Sequence, residues 1–269
     1  MALVLKRLFV NYFYLFDDLA DERVNELGLF LMSSPLVIAA ILFSYLHFTY
    51  KLGPRLMKNR KPFELKWVLI TFNLTQIISN TYIAYEAFIE IWFYMNWKCQ
   101  PITYSKTPRS LWMLRMYHFF FLMKVLDLFD TVFFVLRKKY QQVTFLHVYH
   151  HFGMTLLMWL VVKFFSGGSG TWVGLINGIV HVVMYLYYLL SSIDKSWKTS
   201  VKFKKFITQV QMVQFLTFII IYAKLLFQDC AYPKIASFFF VPQNVFMLLL
   251  FGNFYKKTYL KKNRGNELM

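Results

Sequence analysis

His147-Val148-Tyr149-His150-His151 lies inside an apolar stretch of helix length, residues 143–164. The histidines are spaced i, i+3 and i+4, which puts all three on one face of a helix. Imidazole is a poor side chain to offer to lipid. Ionisable groups within a membrane span normally face the bundle interior and mark a functional site. This stretch therefore predicts a helical membrane protein and locates a chemically active face on one of its helices.

Apolar runs of the same kind recur on both sides of it. The chain has 269 residues, of which 58% are apolar, 21% aromatic and 16% charged, a composition far from that of a soluble domain. A span needs about 20 mostly apolar residues. Seven segments qualify: 29–50, 67–96, 111–136, 143–164, 171–193, 206–227 and 234–255. They leave short connections, so residues 1–269 read as one all-α polytopic membrane domain with seven transmembrane helices. Spans two to four and five to seven would allow two three-helix halves of opposite orientation, a common membrane architecture. Gly53-Pro54, Pro62, Pro101, Pro108, the Gly167–Gly170 stretch and Pro233 punctuate the connections. Residues 1–16, apolar with Lys6 and Arg7 and without a clean cleavage site, read as an interfacial helix.

The net charge of +17 invites a nucleic-acid reading, but its distribution argues against one. Nineteen of the 30 Lys and Arg residues fall in the connections after spans one, three and five and in the tail. Arg137, Lys138 and Lys139 form one of these clusters. That asymmetry follows the positive-inside rule. It places the C-terminus in the cytosol and, with seven spans, the N-terminus on the far side. Cys99 and Cys230 then both lie on the far side, which is oxidising in the secretory pathway, so a Cys99–Cys230 disulfide is expected. The alternative is two free thiols. In either case no thiol lies near the histidines.

Four further spans carry polar residues. The third has Lys124, Asp127, Asp130 and Thr131 on an arc of roughly 120°. Three charges so close within a bilayer must pair or meet water; a purely structural Lys124–Asp127 pair is one reading. In the fifth, Asn177, His181, Met184, Tyr185 and Tyr188 share a face, although tyrosines at a span end are often belt residues. The sixth opens with Thr208, Gln211 and Gln214, which could serve as interhelical glue. The second adds Asn73, Gln76, Asn80, Glu86 and Glu90. At a rise of 1.5 Å per residue, Asp130 lies about 9 Å, His150 about 10 Å, Gln211 about 8 Å and His181 about 18 Å from the cytosolic ends of their spans. These stripes are expected to converge in the cytosolic half of the bundle.

At these residues the chain resembles the fatty acid elongase (ELO) family of very-long-chain 3-ketoacyl-CoA synthases. The family pattern Lys-x-x-Glu-x-x-Asp-Thr reads here as Lys124-Val-Leu-Asp127-Leu-Phe-Asp130-Thr131, with Asp in place of Glu. The His-x-x-His-His box is intact at His147, His150 and His151. So is Asn-x-x-x-His-x-x-Met-Tyr-x-Tyr-Tyr from Asn177 to Tyr188, with Gly178 where Ser is usual. Thr-x-x-Gln-x-x-Gln is intact at Thr208, Gln211 and Gln214. The resemblance implies an endoplasmic reticulum enzyme with six of its seven helices enclosing a closed-ended acyl tunnel. It would condense acyl-CoA with malonyl-CoA to 3-ketoacyl-CoA, CoA and carbon dioxide, with no metal and no cofactor. Its partners would be the membrane lipid and the reductases and dehydratase that complete the cycle, with a homodimer as one possible assembly. A C-terminal dilysine retrieval signal is usual in the family; here Lys261 and Lys262 stand seven residues from the end.

Condensation needs an acyl carrier, and a buried neutral imidazole is a competent nucleophile. The expectation is an acyl-imidazole on His150, assisted by His147 and His151, with Asp127 or Asp130 fixing a tautomer. His181 and Asn177 would stabilise the thioester oxygen or the enolate. Lys124, with Arg137, Lys138 and Lys139, would attract CoA phosphates, and Tyr185, Tyr188, Gln211 and Gln214 would line the substrate path. The competing version uses the histidines purely as bases. The rival classes are a membrane di-iron desaturase or hydroxylase and a non-enzymatic seven-helix transporter or receptor. The first needs about eight iron ligands from several histidine boxes, against six histidines and one box here. The second does not account for the clustered histidine face.

Overall fold

A computed structural model describes Phe16 and residues 18–260. The interfacial helix expected over residues 1–16, apart from Phe16, and the tail lysines Lys261 and Lys262 lie outside the described residues. Among the described residues every regular element is helical. Helix α1 is Glu22–Glu26 and α2 is Pro35–His47. A π turn, Phe48–Leu52, joins α2 to α3, Gly53–Met57. The rest are α4 Lys66–Phe93, α5 Pro108–Leu136, α6 Phe145–Phe164, α7 Thr171–Ile193, α8 Lys195–Thr199, α9 Val201–Phe227 and α10 Lys234–Tyr255.

Short polar residues start these helices. The side chains of Ser34, Thr107, Thr144 and Ser200 accept the backbone N–H groups of Leu36, Ser110, His147 and Phe203, satisfying donors that a helix start leaves unpaired. Pro35 and Pro108 follow two of these caps, where a missing N–H costs nothing. Among the described residues, five helical stretches are long and apolar enough to cross a membrane: Pro35–Met57, Phe145–Phe164, Gly168–Ile193, Val201–Phe227 and Lys234–Leu260. With 28 and 29 residues, α4 and α5 have the length but a more polar composition. The chain is a multi-pass, all-α membrane protein.

The first long helix departs from the range 29–50 read from hydropathy. It begins at Pro35, where Ser34 caps it, and stays helical to Met57. Gly53-Pro54, read as loop breakers, lies inside it. The Gly53 N–H reaches back to the Phe48 carbonyl, closing the wide turn, and Pro54, which has no N–H, fits the turn that follows. A Cβ on Gly53 would lie 2.6 Å from Cγ1 of Val135, so glycine lets this turn press against α5.

The helices gather into two compact units. Among the described residues, the first takes those up to Phe63 together with Ile102–Gly167, and so holds α1–α3, α5 and α6. The second takes Glu64–Pro101 and the described residues from Gly168 on, and holds α4 and α7–α10. The division is not into two consecutive three-helix halves, because α4 packs along α7 while α5 packs along α6.

In the first unit, buried polar contacts tie residues 21–34 to the end of α6. The Asp21 N–H donates to the Lys163 carbonyl at 2.9 Å, Lys163 Nζ donates to Asn25 Oδ1 at 2.8 Å and Trp159 Nε1 donates to the Leu31 carbonyl at 3.0 Å. Lys163, near the end of the apolar stretch 143–164, is only 1% exposed.

In the second unit, α4 and α7 meet at small residues. A Cβ on Gly178 would lie 2.9 Å from the Asn80 carbonyl oxygen and 3.0 Å from Ala84 Cβ, and one on Gly174 would lie 3.5 Å from Ala87 Cβ. This is the close backbone approach that small residues four apart permit between membrane helices. Cys99 and Cys230 form a disulfide with a Cα–Cα distance of 5.8 Å.

Candidate active site

The site residues of the first unit lie on α5 and α6. Thr144 caps α6 just ahead of the histidine box and accepts the His147 N–H at 3.2 Å. One turn later the three imidazoles cluster. The His147 and His151 ring centroids are 4.2 Å apart, and those of His150 and His151 5.4 Å apart and nearly perpendicular. His147 also packs on Phe134 of α5, at 5.1 Å between rings. Thr155 Oγ1 lies 2.8 Å from the His151 carbonyl and 3.0 Å from the Lys124 carbonyl, so this buried hydroxyl bridges α6 to α5 at the level of the cluster.

On α5, Lys124 and Asp127 are each 2% exposed, and Lys124 Nζ donates to Asp127 Oδ2 at 3.1 Å. The ammonium also lies 4.8 Å from the Phe120 ring centroid, a cation–π contact. Lys124 is thus an enclosed, paired cation. The group meeting Nε2 of His147 is the hydroxyl of Thr131, at 2.9 Å, and not a carboxylate. Asp127 is one turn further from the box and is held by Lys124. Thr131 is fully buried and also lies 2.8 Å from the Tyr45 hydroxyl of α2. Among the described residues His150 makes no side-chain hydrogen bond.

The basic residues after α5 differ in their engagement. Burial pulls the Arg137 guanidinium below its ordinary value, though it remains a cation. Lys138 occupies a left-handed backbone position, φ 55°, and its ammonium donates to the Lys58 carbonyl at 3.4 Å. Lys139 is exposed.

In the second unit, α7 carries Asn177, His181, Met184 and Tyr185, all buried. Asn177 Nδ2 donates to Gln214 Oε1 of α9 at 3.3 Å, and Gln211 Nε2 lies 3.6 Å from Met184 Sδ. His181 packs on Tyr185 at 5.7 Å between rings. The tyrosines divide differently from the expected pattern. Tyr185 and Tyr187 are buried, whereas Tyr188 is 37% exposed, because Tyr187 turns toward α9 and stacks on Phe203. On α4, Asn73, Gln76 and Asn80 are buried amides, and Asn80 Nδ2 donates to Gln76 Oε1 at 3.0 Å.

Sequence reading passed over two features. Tyr45 is one of 18 tyrosines, on an apolar helix without a motif, and only coordinates link it to Thr131. The Gly174–Gly178 contact did carry a signal, a pair of glycines four residues apart in an apolar span.

The profile of the GNS1/SUR4 family, ELO, matches residues 30–267, across both units. A very long chain fatty acid elongase of Aedes aegypti is 40% identical over 266 residues, covering 98% of this chain and 74% of that protein. Very long chain fatty acid elongase 1 of Mus musculus is 39% identical over 259 residues, covering 95% of this chain and 92% of the mouse protein. Very long chain fatty acid elongase 7 of Rattus norvegicus is 40% identical over 253 residues, covering 93% and 89% respectively. A multi-helix membrane chain with this histidine box and this extent of similarity belongs to the GNS1/SUR4 (ELO) family of fatty acid elongases.

Proposed function

We propose that this protein is the condensing enzyme of very-long-chain fatty acid elongation, a 3-oxoacyl-CoA synthase acting on long-chain acyl-CoA and malonyl-CoA. The observation that carries this reading is the clustering of three imidazoles on α6, with rings 4.2 and 5.4 Å apart, in a chain with no free thiol among its described residues.

In this mechanism a neutral ring nitrogen of His150 attacks the acyl-CoA carbonyl. The C–S bond breaks, and CoA leaves as a thiolate that takes up a proton. The acyl group rests on the imidazole. Malonyl-CoA then loses carbon dioxide, and the electron pair of the broken C–C bond becomes an enolate. That enolate attacks the acyl carbon, the C–N bond breaks and the imidazole is regenerated. His147 and His151 orient His150, and Asn177 and His181 stabilise oxyanion character on the thioester or enolate. Arg137 and Lys139 attract the CoA phosphates, while Lys124, paired with Asp127, acts from a buried position. Tyr185, Gln211 and Gln214 shape the substrate path. The reaction needs no metal or cofactor.

The protein resides in the endoplasmic reticulum membrane, with α4 and α5 completing seven spans. Its N-terminus is lumenal and its C-terminus cytosolic. The positive-inside asymmetry supports that orientation, as does the disulfide, which needs an oxidising side. The next enzymes to act are the reductases and dehydratase of the cycle, and a homodimer is a candidate assembly.

The test uses purified full-length protein in detergent with labelled malonyl-CoA and acyl-CoAs of rising length. The expected result is acyl-CoA-dependent release of labelled carbon dioxide with formation of 3-ketoacyl-CoA. Release that is absent, or indifferent to acyl-CoA, overturns the reading.

A further inference from the structure

The residue nearest to Nε2 of His147 is itself part of a longer chain. The Tyr45 hydroxyl of α2 lies 2.8 Å from Thr131 Oγ1, and Thr131 Oγ1 lies 2.9 Å from His147 Nε2. Three helices of one unit thus contribute one group each to a continuous line. Thr131 is 0% and Tyr45 6% exposed, so both hydroxyls are buried, while His147 is half-buried. The lone hydroxyl hydrogen of Thr131 can serve only one neighbour. If it is given to His147, Tyr45 must donate to Thr131; if His147 donates, Thr131 either donates to Tyr45 or accepts from both neighbours. A phenol is a better donor than an aliphatic alcohol, and an imidazole nitrogen is the best acceptor of the three.

We infer that Tyr45 is a positioning residue that acts through Thr131 to hold His147 with Nε2 as acceptor and Nδ1 protonated. The inference rests on the histidine box being the reacting centre, as proposed above. It assigns His147 a fixed tautomer and therefore a donor's role at Nδ1. His150, which has no such tether, keeps its ring nitrogens available for attack. The carboxylates of α5 are not required for this setting of His147. The line brings α2, which carries none of the family-like motifs, into control of the chemistry. The logic is that of any oriented acid–base group: a partner on one ring nitrogen decides what the other can do.

The experiment compares Tyr45→Phe, Thr131→Val, Thr131→Ser and the double variant Tyr45→Phe/Thr131→Val in the full-length protein. It measures kcat and KM for acyl-CoA with malonyl-CoA present, together with thermal stability. Thr131→Val is expected to lower kcat about tenfold, one buried hydrogen bond, with KM changed by less than about twofold. Tyr45→Phe lowers kcat by about threefold to tenfold by the same arithmetic. Thr131→Ser, which restores the hydroxyl, returns kcat to within about threefold of wild type. Adding Tyr45→Phe to Thr131→Val costs nothing further, since the line is already cut. A packing role instead predicts lowered stability without the kcat–KM split, no rescue by Ser and additive losses; that pattern overturns the inference, as do variants with wild-type kcat. A wild-type protein with no malonyl-dependent turnover removes the proposed function itself, and this inference with it. An active wild type with indifferent Tyr45 and Thr131 variants removes only the inference.

Discussion

Thr131 Oγ1 stands 2.9 Å from Nε2 of His147, so the first histidine of the box is tethered through a neutral hydroxyl. His150, three residues on, has its ring nearly perpendicular to that of His151 and no tether of its own among the described residues. The two histidines should therefore respond differently to substitution. His150→Ala is expected to lower kcat by on the order of 10³-fold, the scale of a lost nucleophile or base. His147→Gln keeps an amide donor and acceptor and should cost on the order of tenfold, the scale of an orienting group. Steady-state turnover of the two variants at matched stability checks the ordering; equal losses would contradict it.

The Lys124–Asp127 pair is buried on both sides, and removing one partner takes away the opposite charge that the other faces across 3.1 Å. Lys124→Met and Asp127→Leu should each destabilise the protein by about 3–5 kcal/mol, whereas the double variant should be less destabilised than either single one. Thermal denaturation midpoints in detergent for the three variants measure this coupling.

Gly178 lies where a Cβ would stand 2.9 Å from the Asn80 carbonyl oxygen. That atom is backbone and cannot swing aside, so α4 and α7 must separate to accept any side chain. Gly178→Ala is expected to cost about 1–3 kcal/mol, read as a lowered midpoint of thermal unfolding. Gly174→Ala meets only an ordinary contact, 3.5 Å from Ala87 Cβ, and should leave the midpoint nearly unchanged.

The helical membrane character of the chain was legible from composition and recurring apolar runs, and the chemical character of α6 from three histidines on one face. The ends of α2 were not. Ser34-Pro35 starts it later than hydropathy suggests, and Gly53-Pro54, which reads as a break, is absorbed by a π turn because Gly53 packs on Val135. The site was legible where a motif concentrates unusual residues and illegible where one ordinary residue matters. Nothing in an apolar helix marks Tyr45 as the partner of Thr131. Helical geometry put Tyr188 on the face of Asn177 and His181, but packing against Phe203 buried Tyr187 in its place.

Cys99 and Cys230 close a loop with a sequence separation of 131 residues. Their crosslink restricts the unfolded chain and should stabilise the protein by about 2–4 kcal/mol. The double variant Cys99→Ser/Cys230→Ser should lose thermal stability while keeping kcat in detergent at low temperature. Loss of turnover in a variant that is still folded would assign the disulfide a role in the chemistry.

The central claim is that His150 carries the acyl group, and intact-protein mass after incubation with acyl-CoA alone tests it most directly. The account predicts a gain of one acyl group with stoichiometric release of free CoA, both abolished in His150→Ala and reversed by adding malonyl-CoA. An active enzyme that shows no mass gain, and releases CoA only when malonyl-CoA is present, would contradict it.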